Sequence, residues 1–261
     1  AKKTNFKKPY IVGLTGGQGT GKTTISSILM IILKKYFKLK VFKISIDDIY
    51  KTKKDRIKLS KKIHPLLLTR GVPGTHDISY MSSFIKKANS RKFRSIKLPK
   101  FDKSIDDRFT KNSWYIVKSK PDVIIFEGWC VGAKSESLKT LNKSVNTMEK
   151  NDDNKLIWRK YVNTQLKKGY KKLYSKLDCL LFLRAENFSL LQKWRVIQEK
   201  KLKLKNKNKK TKQKIMTKKE VLNFMQTYQR ITQNMFKYAP KYASIVIKLN
   251  SNHQINSVKY N

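Results

Sequence analysis

The chain has 261 residues, 39% apolar and 11% aromatic, with 61 Lys and Arg against 17 Asp and Glu for a net charge of +44. That length suits one large α/β domain or two small ones, and the apolar content suffices for a real core. No stretch approaches the roughly 18 apolar residues of a membrane span, the two cysteines (Cys130 and Cys179) are too few for a disulfide scaffold, and three His without clustered Cys argue against structural zinc.

The charge invites a nucleic-acid reading. Against it, 52 of the basic residues are Lys and 9 are Arg, scattered over most segments and sparse around the motifs. Sites that grip phosphate favour the planar guanidinium, so no specific nucleic-acid partner and no membrane partner are expected. The first residues, Ala1-Lys2-Lys3-Thr4-Asn5, carry no apolar leader, and a cytoplasmic location is expected.

Five short apolar runs, at residues 10–14, 41–46, 122–126, 178–183 and 244–249, read as buried parallel strands with helical patterns between them. The alternation predicts one α/β domain over residues 1–261, a doubly wound parallel sheet of about five strands flanked by helices. The first run leads into Gly16-Gly17-Gln18-Gly19-Thr20-Gly21-Lys22-Thr23, a complete G-x-x-x-x-G-K-T loop, and Thr24 continues into a helical run. Strand, loop and helix in that order mark a phosphate cradle of the P-loop NTPase type. Its glycines turn backbone N–H groups inward at a helix start, Lys22 reaches the β- and γ-phosphates of ATP, and Thr23 offers its hydroxyl to Mg²⁺.

The second run ends in Asp47-Asp48-Ile49-Tyr50, two carboxylates at a strand's carboxyl end beside the phosphate loop. A group there can orient an attacking hydroxyl, accept its proton and join a metal's coordination sphere. Residues 51–115 interrupt the alternation as a long, loop-rich acceptor region. It holds Arg70-Gly71-Val72-Pro73-Gly74-Thr75-His76-Asp77 and Phe101-Asp102-Lys103-Ser104-Ile105-Asp106-Asp107-Arg108, whose cations suit an anionic acceptor. The third run ends in Glu127-Gly128-Trp129, the form of a Walker B strand whose acid holds Mg²⁺. Further on, Arg195 sits in a helical stretch within a lid spanning about 190–216, able to swing over transferred charge. The lysine run at 200–214 reads as a solvated loop or as part of that lid.

Together these motifs resemble the glycerate-kinase-like branch of the phosphoribulokinase, uridine kinase and pantothenate kinase superfamily, over nearly the whole chain. The most specific pieces are residues 70–77, 101–104 and the string Phe126-Glu127-Gly128-Trp129-Cys130-Val131-Gly132. Plant and fungal members carry a glycine-rich insertion after the Phe-Asp-Lys-Ser element, whereas Ile105-Asp106-Asp107-Arg108 follows at once here, closer to a bacterial kinase subgroup.

The resemblance implies transfer of the γ-phosphate of ATP, with Mg²⁺, to a small-molecule hydroxyl, most simply D-glycerate giving the 3-phosphate. Matching the strand-end acids puts the base at Asp47, with Lys22 and Arg195 stabilising charge and Thr23, Glu127 and Asp47 at the metal. Asp48, Tyr50, Arg70, Thr75, His76, Asp77, Lys103 and Arg108 would face the acceptor. A kinase of the same fold for a nucleoside, pantothenate or a sugar phosphate is the alternative, and a nucleic-acid-dependent ATPase a remote one.

Overall fold

The computed structural model describes residues 7–205 and 216–261. Its strands are β1 (Tyr10–Gly16), β2 (Val41–Ser45), β3 (Ile96–Leu98), β4 (Phe101–Asp102), β5 (Asp107–Arg108), β6 (Tyr115–Val117), β7 (Val123–Gly128), β8 (Cys179–Ala185), β9 (Ile245–Leu249) and β10 (Ile255–Tyr260). Six form the central sheet in the order β10-β9-β8-β1-β7-β2. Five of them run parallel, and β10 adds an antiparallel edge. β7 (VIIFEG) is buried at every position, as a strand covered on both faces must be.

The parallel registers decide where chemistry can happen. Leu14 of β1 lies opposite Glu127 of β7, and Glu127 lies opposite Ser45 of β2. The carboxyl ends of three adjacent strands therefore open onto one edge. There the chain reverses its winding around β1, which is where open α/β sheets bind ligands.

Helices α1 (Lys22–Lys35), α2 (Lys53–Lys62), α3 (Ile78–Ala88), α4 (Leu138–Asn142), α5 (Thr147–Asn151), α6 (Ile157–Gln165), α7 (Lys171–Tyr174), α8 (Phe188–Lys205) and α9 (Lys218–Tyr238) clothe the sheet. α1 packs on β1, β2 and β7 through Leu29, Met30 and Leu33. α9 starts at a capping box between Thr217 and Glu220 and buries Val221, Met225, Tyr228, Thr232 and Met235, a single face at helical spacing. No described helix is long and apolar enough to cross a membrane.

The region at 51–115 is more ordered than its composition predicts. It contains α2, α3 and two antiparallel ribbons, β3–β6 and β4–β5. α3 buries Met81, Phe84, Ile85 and Ala88, spaced i, i+3, i+4 and i+7. Residues 200–205, expected in a loop, continue α8, while 206–214 of the lysine run lie outside the described residues. Cys130 is buried, Cys179 is half-buried, and both are free thiols.

Away from the strand ends, a buried ion network staples α5, α6 and α9. Glu149 accepts from Arg159 at 3.1 Å and from Arg230 at 2.7 Å, and Asp153 pairs with Arg159 at 2.9 Å.

Candidate active site

The turn from β1 into α1 depends on backbone that only glycine adopts without strain. Gly19 has φ +85° and Gly21 φ +81°, and a Cβ on Gly19 would stand 2.8 Å from Cβ of Trp194 on α8. Gly16, Gly17, Thr20 and Thr24 shape this loop and its helix start. Thr20 Oγ1 donates to the Gly17 carbonyl at 2.8 Å, and Lys22 Nζ donates to the same carbonyl at 2.8 Å. Desolvation lowers the pKa of Lys22, and the carboxylates of Glu127 and Asp47 pull it back up.

Thr23 Oγ1 donates to Glu127 Oε1 at 3.0 Å, tying the helix start to the end of β7. A hydroxyl and a carboxylate from adjacent elements, with Asp47 at the end of β2, make an all-oxygen donor set. Such a set fits Mg²⁺, which binds through one or two protein oxygens plus phosphates and water rather than a protein cage. No group of three His, Cys, Asp or Glu able to hold a metal occurs among the described residues.

Asp47 and Asp48 occupy a short 3₁₀ turn after β2, and their side chains are used differently. Asp47 accepts from the Tyr50 hydroxyl at 2.8 Å and from Lys103 Nζ at 2.6 Å. Desolvation pushes its pKa up, but the Lys103 charge and these hydrogen bonds prevail and bring it down to about 2. Asp48 caps the turn, accepting from the Ser45 N–H at 3.1 Å and from the Tyr115 hydroxyl at 3.3 Å, and desolvation raises its pKa.

These groups share a cleft of about 1140 Å³. Gln18, Gly19, Lys22 and Thr23 of the phosphate loop and helix start line it, together with Asp47, Glu127, Tyr50, Arg70 and Lys103. Arg195 of α8 reaches it from above and pairs with Glu199 one turn on. Asp106 also lines it, as do Lys43, Phe224 and Tyr228, three residues that no local motif singled out.

Four residues expected at the acceptor stand behind the cleft wall. Thr75 is fully buried and closes its own turn, accepting from the Gly71 N–H and donating to the Val72 carbonyl. His76 is 2% exposed, stacks on Tyr50 and bonds the Tyr170 hydroxyl at 2.7 Å through Nδ1. Desolvation lowers its pKa to about 3. Asp77 pairs with Arg108 at 3.3 Å, and Arg108 Nε donates to the Tyr50 carbonyl at 2.7 Å. All four brace Tyr50 or its loop, a placement that their sequence spacing does not reveal.

Arg56 was the least visible. It sits among Lys53, Lys54 and Lys58, yet it is 1% exposed and donates to the carbonyls of Leu68 and Asp106, both at 2.6 Å.

No family model matches the chain. It is 31% identical over 229 residues to a kinase of Schizosaccharomyces pombe named as the uncharacterized kinase mug58, covering 85% of this chain and 79% of that one. It is 27% identical over 203 residues to the chloroplastic D-glycerate 3-kinase of Arabidopsis thaliana, covering 73% of this chain and 41% of that protein. Among solved structures, the D-glycerate 3-kinase of Cryptococcus neoformans var. grubii superposes with a TM-score of 0.78 at 25% identity, over 97% of this chain and 90% of that one.

Proposed function

The chain belongs to the D-glycerate 3-kinase-like family of P-loop kinases, phosphotransferases that use ATP and an alcohol acceptor, and on that premise we propose that it phosphorylates D-glycerate at the 3-hydroxyl. The observation that carries the proposal is the convergence of Lys22, the Thr23–Glu127 pair and Asp47 in one cleft that Arg70 and Lys103 also line. The phosphate loop receives the β- and γ-phosphates. The acceptor hydroxyl approaches the γ-phosphorus in line beside Asp47, which orients it and takes its proton as the new P–O bond forms and the bond to the β-phosphate oxygen breaks. Thr23 and Glu127, with Asp47 nearby, would hold Mg²⁺, which would supply neutralisation of phosphate charge. Lys22 and Arg195 stabilise the charge moved to the leaving group.

An anionic acceptor suits the cationic side better than a nucleoside does. The aromatic rings nearest Asp47 are already engaged: Tyr50 stacks on His76 at 4.6 Å between centroids, and Phe101 meets Tyr50 edge-on and lies under Arg70 at 5.4 Å. Both rings are buried, Tyr50 at 3% and Phe101 at 7% exposure, so neither offers an open face to a base. A coupled assay of ATP consumption across hydroxy acids, pantothenate, uridine and sugar phosphates, with and without added DNA or RNA, tests this. The expected result is turnover with D-glycerate and no stimulation by nucleic acid; turnover with one of the other acceptors and none with D-glycerate overturns it.

A further inference from the structure

Asp106 stands at the tip of the β4–β5 ribbon with φ +57°, a left-handed conformation that a non-glycine residue keeps only where its surroundings hold it. What holds it is a pair of guanidiniums. Arg56 Nη2 lies 3.0 Å from Asp106 Oδ2, and Arg70 Nη1 is hydrogen-bonded to Asp106 Oδ1. Arg56 is buried and also bonded to the Leu68 and Asp106 carbonyls, so it ties α2, the Leu68–Arg70 segment and the ribbon together. Arg70 is 28% exposed at its side chain and lines the cleft beside Lys103, whose carbonyl accepts from Arg70 Nη2 at 3.4 Å.

Lys103 is balanced by Asp47, and one carboxylate is shared between two guanidiniums, which leaves a single positive charge on the Arg56–Asp106–Arg70 trio. An acceptor that brings one negative charge completes that balance, whereas a phosphate dianion overfills it. We infer that Asp106, anchored by Arg56, is the positioning residue that aims Arg70 into the cleft and sets the acceptor side for a monocarboxylate. The inference rests on the reading of the acceptor as a small anion.

Steady-state kinetics with D-glycerate on Asp106→Asn, Arg70→Ala and the double variant test it. Asp106→Asn is expected to raise the KM for D-glycerate about tenfold, to leave the KM for ATP unchanged, and to add less than about twofold once Arg70 is Ala. An equal effect in both backgrounds would mean that Asp106 acts through the fold alone, and overturns the assignment. A second readout needs no acceptor: phenylglyoxal labelling of the full chain, followed by peptide mass spectrometry. Labelling of Arg70 is expected to speed up several-fold in Asp106→Asn, with Arg195 unaffected. Asp106→Glu, which keeps the charge, moves both readouts less. Unaltered labelling of Arg70 overturns the proposal. Wild-type protein that fails to turn over D-glycerate sinks the acceptor reading alone, and the labelling then decides this one.

Discussion

Asp47 is pulled in two directions. Its recess in the cleft favours the neutral acid, while Lys103 and the Tyr50 hydroxyl favour the carboxylate strongly enough to bring its pKa to about 2. A carboxylate that acidic is a weak base at neutral pH. It suits a loose phosphoryl-transfer transition state, in which the nucleophile is oriented rather than deprotonated early. The sign of a test follows. Replacing Lys103 with Met removes the largest influence opposing desolvation and leaves the Tyr50 hydrogen bond, so the pKa of Asp47 rises and the acid limb of the kcat–pH profile moves to higher pH. An unmoved limb contradicts this account of Asp47. His76 gives a stability counterpart. Its pKa falls from 6.5 to about 3 on folding, so the unfolded chain binds the extra proton first, and stability is lost as pH drops from about 6.5 toward 3. His76→Phe is expected to flatten the dependence of Tm on pH across that window; an unchanged slope would assign the acid sensitivity elsewhere. None of this was legible in the sequence, where His76 and Asp77 read as acceptor ligands. Residue type and spacing bring chemistry into a neighbourhood but do not say which side of a wall a side chain occupies.

The elements that carry the site were far more legible than its second layer. The phosphate loop is contiguous, and its glycines, Lys22 and Thr23 act through local backbone, so a pattern of eight residues suffices to identify it. The five parallel strands are built on short apolar runs and were found within a residue or two of their ends. β10 was missed because it is an exposed edge strand, INSVKY, with no apolar run to betray it. The staple joining α5, α6 and α9 was also invisible, since Arg159 and Arg230 lie 10 and 81 residues from the carboxylate of Glu149 that they share. Its energetics are asymmetric. Removing the shared carboxylate takes one partner from each of two buried guanidiniums, leaving Arg159 to Asp153 and Arg230 to Glu136, a loss of about 3–5 kcal/mol for a broken buried pair. Glu149→Ala is therefore expected to lower the unfolding free energy measured by urea titration by that order while leaving the KM for ATP unchanged in the folded fraction. A loss below about 1 kcal/mol, the range of exposed pairs, would contradict the network.

Across the whole molecule, one sheet edge gathers what the sequence separates. The register of β2, β7 and β1 brings Asp47, Glu127 and the phosphate loop to neighbouring strand ends, and the 51–115 region and α8 close over them. A net charge of +44 over the same surface draws polyanions without selecting among them, so the chemistry is argued from the cleft and not from the charge. The central claim is phosphoryl transfer from ATP to the acceptor's hydroxyl at this edge. Phosphorus NMR of the protein with ATP, Mg²⁺ and D-glycerate tests it most directly. ADP and 3-phosphoglycerate are expected to appear together in equal amounts, slowed by about 10²–10⁴ in a folded Asp47→Asn variant. ADP with inorganic phosphate alone, or full activity in Asp47→Asn, would contradict it.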